Sequence, residues 1–185
     1  MGVDAPTAVS ASGGRFSLQD AGEMPDIHQA TFQYPGFVLS YEAVNLNAHG
    51  LGGRTPGMRY YNARGAADRP NGMAFYGTNG ALFADRLGFE IYPEGERIAR
   101  RQVQGADATG LHARRFIECV RTREQPPASA ETGHRATLIG HLGNIAYKTG
   151  RTLRWDPAAE RFTGDAAADA LLYREPRKLW DLIAR

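Results

Sequence analysis

The chain has 185 residues, 42% of them hydrophobic and 23% charged, with a formal net charge of +2. That composition is globular, fits one ordinary domain with a core of its own, and excludes a disordered or fibrous chain. The charge is too balanced for a nucleic-acid or membrane-surface protein, and no apolar run reaches the roughly 18–20 residues of a membrane span.

The first two-fifths read as β-structure. Ala8 to Ser17, His28 to Tyr34 and Phe37 to Asn47 carry β-branched and aromatic residues, punctuated by Gly13-Gly14, Gly22 and Pro35-Gly36. From Phe37 to Glu42, alternation puts Phe37, Leu39 and Tyr41 on a drier face and Val38, Ser40 and Glu42 on a wetter one. His49 to Pro70 is a long loop rich in Gly, Arg, Asn and Pro, of a length that usually marks function or mobility. Asn79-Gly80 between two apolar runs predicts a hairpin over residues 72–85. Phe89 to Pro93 is the next strand, and Glu94 to Gln104 a polar strand or edge.

The pattern changes at Gly105. Thr109 or Asp107 is placed to cap a helix running to about Arg123 and stopped by Gln125-Pro126-Pro127. Ser129 caps a second helix from about Ala130 to Thr149, with Glu131 in its first turn, Lys148 in its last and Gly150 just beyond. Leu153 to Pro157 is a short strand or turn, and Asp165 caps a third helix from Ala166 to Tyr173. Strands followed by helices predict an α+β fold: an open, mostly antiparallel β-sheet with two to three helices packed on one face, in a single domain over residues 1–185.

Catalytic signatures are scarce. Gly50-Leu-Gly52-Gly53-Arg-Thr-Pro56-Gly57 lacks the G-x-G-x-x-G spacing, and Pro56 stops any helix opening there, so no residue is assigned to cofactor binding. His134, Leu138, His141, Leu142 and Ile145 form one stripe of the second helix. His134 and His141 are separated by about 10.5 Å of helical rise, too far to ligate one metal together. A metal would need His112, His49 or Asp85 as well, and none is predicted. No G-x-S-x-G elbow occurs, and neither Asp156/Glu160 nor Glu131/Asp165 is brought together by anything in the sequence. Cys119 is the only cysteine and reads as packing beside Phe116 and Val120; Trp155 and Trp180 read equally as core or as sugar-stacking residues. The N-terminus lacks a basic and apolar leader, which predicts a cytoplasmic location unless a longer precursor carries one.

Longer motifs add a resemblance. His112-Ala-Arg-Arg-Phe116-Ile-Glu-Cys-Val-Arg121, Glu131-Thr-Gly133-His134-Arg135, Asn144-Ile-Ala-Tyr147-Lys-Thr-Gly150-Arg151-Thr-Leu-Arg-Trp155-Asp156-Pro157 and Glu160-Arg-Phe162-Thr-Gly-Asp165 resemble the C-terminal half of bacterial Gfo/Idh/MocA-type oxidoreductases. Tyr34-Pro35-Gly36, the Phe75-Tyr-Gly-Thr-Asn-Gly hairpin and Arg177…Trp180 fit the same family, and Arg115 departs from it where relatives tend to have Asn.

The resemblance implies an NAD(P)-dependent enzyme acting on sugars or polyols. In that family an N-terminal Rossmann domain binds NAD or NADP and supplies the catalytic Lys of a Glu-Lys-Pro motif; no Lys-Pro occurs here. The expectation is a substrate-binding and dimerisation domain, with the catalytic and cofactor half absent from this chain and no cofactor bound by the chain alone. Homo-oligomerisation through the sheet face, a Rossmann-domain partner and a carbohydrate or polyol ligand are the implied partners. Candidate substrate-binding residues are His134, His49, Asn45, Tyr60 and Arg135; catalytic residues stay unassigned. His134, near the start of its helix, is expected to be neutral because the macrodipole disfavours an imidazolium there. A stand-alone carbohydrate-binding or assembly module, and a recruited carbohydrate hydrolase or lyase using histidines, remain open beside the oxidoreductase reading.

Overall fold

In this computed structural model the described residues are 2–44, 72–85, 88–105 and 108–176. They form two compact units, one from residues 1–43 and 128–185, the other from residues 44–127. The α+β class is as expected. The strands, however, divide between two open antiparallel sheets.

The first unit holds β1 (Ala8–Gly14), β2 (Ile27–Tyr34), β3 (Phe37–Val44), β8 (Leu153–Asp156) and β9 (Arg161–Phe162), in the order β3-β2-β1-β8-β9. The β2–β3 connection is Pro35-Gly36: Pro35 presets φ, and Gly36 takes the positive φ of +92° that closes the turn. Along β2 the period-2 pattern sends His28, Ala30 and Phe32 inward and leaves Gln29, Thr31 and Gln33 to the outer face. On β3 Phe37 and Leu39 are half-buried as the alternation requires, whereas Tyr41 is 48% exposed.

β1 stops at Gly14 rather than Ser17, and Asp26 is the reason. Its carboxylate is 1% exposed and accepts from the backbone N–H groups of Phe16 (3.0 Å), Ser17 (2.7 Å) and Leu18 (3.0 Å). Those donors are therefore unavailable to a strand ladder. Three such bonds stabilise the anion and hold the carboxyl down to about 2.

Two helices pack on one face of this sheet. α2 (Ala130–Thr149) starts as predicted: the Ser129 side chain accepts from Thr132 N–H at 3.2 Å, and Gly150 closes the helix at φ +63°. Leu142, Ile145 and Ala146 of α2 meet Val9, Ala30, Phe32, Leu153, Trp155, Phe162 and Ala168 in the core. Gly143 allows a close approach: a Cβ there would lie 3.3 Å from Phe32 Cζ and 3.5 Å from His28 Cε1. α3 (Ala166–Ala170) is capped by Asp165 as expected, through Ala168 N–H at 2.9 Å, but ends three residues earlier than predicted.

The second unit holds β4 (Met73–Gly77), β5 (Gly80–Asp85), β6 (Gly88–Pro93) and β7 (Arg101–Gln104), paired in sequence order. The predicted hairpin forms, with Gly77 opposite Gly80, so the two-residue turn is Thr78-Asn79. Gly80 instead opens β5 at φ +144°, where a Cβ would strike Tyr92 O at 2.2 Å. Registers place Met73, Phe75, Leu82, Phe89, Ile91 and Val103 on one face. None of the six is buried, and Met73 is 62% exposed.

α1 (Thr109–Thr122) belongs to this unit. Its N-cap position is Ala108, which has no side chain to offer; Thr109 is already helical, and Asp107 lies outside the described residues. Arg123 ends the helix in the left-handed region at φ +63°. Cys119 is buried, but Phe116 and Val120 beside it are 56% and 47% exposed, so the predicted packed face is covered only in part.

Candidate functional site

The first unit carries a groove of about 730 Å³ beside α2. That lies within the range of small-molecule sites, about 300–1,000 Å³. Helical periodicity builds one wall, since His134, Thr137, Leu138, His141, Asn144, Ile145 and Lys148 recur at intervals of three and four. The stripe read from the sequence shares His134, Leu138, His141 and Ile145 with this wall, but its Leu142 is fully buried in the core and Thr137 and Asn144 were not part of it. Trp155 of β8 forms the floor, and Met24, Glu160, Leu171 and Leu172 complete the lining.

His134 is tied to this groove by a residue with an uncommon backbone. The β8–β9 connection begins with Asp156, whose carboxylate accepts from Ala158 and Ala159 N–H at 2.9 and 3.1 Å. It ends with Glu160 at φ +48°, a region that few non-glycine residues adopt. The Glu160 carboxylate is thereby set 2.7 Å from His134 Nε2. The hydrogen bond, and then the negative charge of Glu160, raise the His134 pKa above its ordinary value. This shift runs opposite to the one expected from the helix dipole. The helix dipole acts only over the first turn, and His134 lies five residues past Ser129, where a carboxylate in contact dominates.

Arg135, the other candidate on α2, is engaged elsewhere. Its guanidinium pairs with Glu131 at 2.7 Å, one helical turn back, and with Asp4. It ties the N-terminal segment to the helix start and does not line the groove. His49, Asn45 and Tyr60 lie outside the described residues, as do the loop over 49–70 and Trp180. The carboxylate pairs considered above are not paired with one another: Asp156 holds its own turn, Glu160 meets His134, Glu131 meets Arg135, and Asp165 meets Arg151 at 2.8 Å. Among the described residues no group of three or more His, Cys, Asp or Glu is placed to hold a metal ion, and no helix is long and apolar enough to cross a membrane.

Two polar groups lie against α2: His28, which sequence reasoning did not single out, and Trp155, which it read as a core or sugar-stacking residue. His28, 8% exposed, packs edge-on between Tyr41 and Tyr147, and desolvation pushes its pKa down. Its Nε2 has no partner among the described residues. Trp155 is 4% exposed, and its indole Nε1 is buried without an acceptor. In the sequence only the alternation Leu153-Arg154-Trp155 hinted that this tryptophan points inward.

No parallel strand leading into a helix is seen among the described residues. Phosphate cradles sit where a parallel strand feeds a helix N-terminus. Here the registered strand pairs are antiparallel, and α2 is entered from Pro126-Pro127.

Residues 67–182 match the family described as the oxidoreductase family, C-terminal alpha/beta domain, of the Gfo/Idh/MocA type. The chain belongs to this family. No curated protein sequence matches it. Among solved structures, an oxidoreductase from Thermotoga maritima matches 80% of the chain at 17% identity with a TM-score of 0.54. The oxidoreductase YvaA from Bacillus subtilis matches 82% at 15% identity and a TM-score of 0.52. One from Klebsiella pneumoniae matches 91% at 14% identity and a TM-score of 0.51. At these identities the likeness is one of fold. The chain spans 40%, 47% and 48% of those three structures, less than half of each.

Proposed function

We propose that this chain supplies substrate binding and self-association to an NAD(P)-dependent oxidoreductase of sugars or polyols, with the nicotinamide carried on a Rossmann domain that the described residues do not provide. The observation that carries this reading is the α2 groove. Hydrogen-bonding side chains line one wall above an apolar floor, which is the arrangement a polyhydroxylated ligand with a carbon skeleton needs.

Self-association is supported by the contrast between the two sheets. The outer face of β2 is polar, with Gln29, Thr31 and Gln33, whereas one face of the second sheet gathers six apolar side chains, of which Met73 and Phe75 are exposed and the other four half-buried. Contiguous exposed apolar surface of that kind marks an interaction site.

The tests are separate. Calorimetry of the chain with a panel of neutral sugars and inositols is expected to show binding, and heat from none of them overturns the ligand role. Titration with NADH or NADPH is expected to give no heat, and a micromolar dissociation constant overturns the assignment of the cofactor to another domain.

A further inference from the structure

We propose that His28 is an acid-sensitive latch: neutral, it closes the seam between α2 and the β2–β3 corner of the first sheet, and on taking up a proton it opens that seam. The first unit thereby carries a pH response of its own, independent of any ligand in the α2 groove.

The seam is cut to the size of one imidazole. His28 stands opposite Gly13 of β1, which brings no side chain, and Gly143 of α2 comes so close that a Cβ there would lie 3.5 Å from His28 Cε1. Tyr41 of β3 and Tyr147 of α2 close the seam edge-on, with ring centroids at 5.9 and 5.7 Å. His28 is left 8% exposed, and its Nε2 is buried with no partner among the described residues. Tyr41 is 48% exposed, so one side chain separates the imidazole from water.

This surrounding suits the neutral ring alone. An imidazolium donates from both nitrogens, and a buried N–H or charge without a partner is costly. The titratable side chains that face the ring from β3 and α2 are the phenols of Tyr41 and Tyr147, not carboxylates. Charged groups on the same elements are engaged elsewhere. Asp26, two residues before His28, is held by the N–H groups of Phe16, Ser17 and Leu18. Glu42 of β3 accepts from Gln29 on the outer face, Lys148 of α2 meets Glu23, and Arg15, just past β1, meets Asp20. Burial accordingly pushes the His28 pKa below its ordinary 6.5, against a smaller opposite pull from the Gly143 backbone.

Above 6.5 the ring is neutral whether the seam is closed or open. As pH falls through that value the open form takes up the proton first. Each further unit then favours it by up to about tenfold, until the closed form protonates as well.

The test is amide hydrogen exchange of the full chain between about pH 7.5 and 5.5, corrected for the intrinsic rate, with the His28 Cε1–H resonance followed by proton NMR. The His28 midpoint is expected below 6.5, and amides of β2 and of residues 143–149 to exchange up to about tenfold faster at the lower pH. His28→Gln and His28→Phe, which cannot take the proton, are expected to lose that response. If neither variant folds, the midpoint and exchange of the unmodified chain decide. Glu160→Gln is expected to keep the response, because the His134 pair strengthens on acidification and runs against the latch. A His28 midpoint at or above 6.5 overturns the latch. So does exchange that ignores pH, a response that survives in either His28 variant, or one that vanishes in Glu160→Gln.

Discussion

Two ionisable residues report on the fold with opposite signs. Asp26 is held down to about 2, against an ordinary 3.8, by backbone N–H groups of residues 16–18. Its contribution to stability is therefore complete above the unfolded value and is lost as pH falls through 4 toward 2. Asp26→Asn should lower Tm at neutral pH and flatten the dependence of Tm on pH over that interval, as acid-scanned thermal unfolding will show. His134 runs the other way, because Glu160 raises its pKa above 6.5. The pair stabilises fully below that value and loses its contribution as pH rises through the higher folded value. A proton NMR titration should place the His134 midpoint above that of an unfolded histidine, and Glu160→Gln should return it. A midpoint unmoved by Glu160→Gln refutes the contact. Both side chains are about half exposed, so solvent screening keeps the effect on stability small.

At the scale of the element, α2 is the member on which the first unit depends, since one stripe fills the core and a neighbouring one, sharing Ile145 with it, lines the groove. Leu142 is fully buried, so Leu142→Ala should cost about 2–5 kcal/mol, read from urea unfolding. Gly140 shares the helix but faces open space: a Cβ there meets nothing within 4 Å. Gly140→Ala should stabilise by about 0.5–1 kcal/mol through helix propensity and a less flexible unfolded chain. Loss of stability in that variant would mean that something covers this face. The boundaries of α2 were legible in the sequence because Ser129 and Gly150 act locally, through one backbone N–H and one positive φ. Those of β1 and α1 were not. β1 is cut short by a carboxylate ten residues away from Phe16, and α1 begins after a residue that cannot cap it.

For the whole molecule, the second sheet decides the association prediction. Leu82 stands opposite Ile91 and Phe75 on its more apolar face. Leu82→Glu should convert an assembly into a monomer in sedimentation at tens of micromolar, with little change in secondary structure by circular dichroism. An unmodified chain that sediments as a 20.2 kDa monomer refutes self-association through this face.

The sequence by itself determined what short-range chemistry controls. The α+β class, the hairpins at Pro35-Gly36 and near Asn79-Gly80, the caps at Ser129 and Asp165, and the family were all readable from period, turn residues and motif. Tertiary structure alone decided that the strands form two sheets, because pairing partners such as β1 and β8 lie about 140 residues apart and no local signal joins them. It also decided what His134 meets. Glu160 lies 26 residues away, sits at the end of the β8–β9 connection with a left-handed backbone, and at 2.7 Å raises the His134 pKa where the helix dipole alone would lower it.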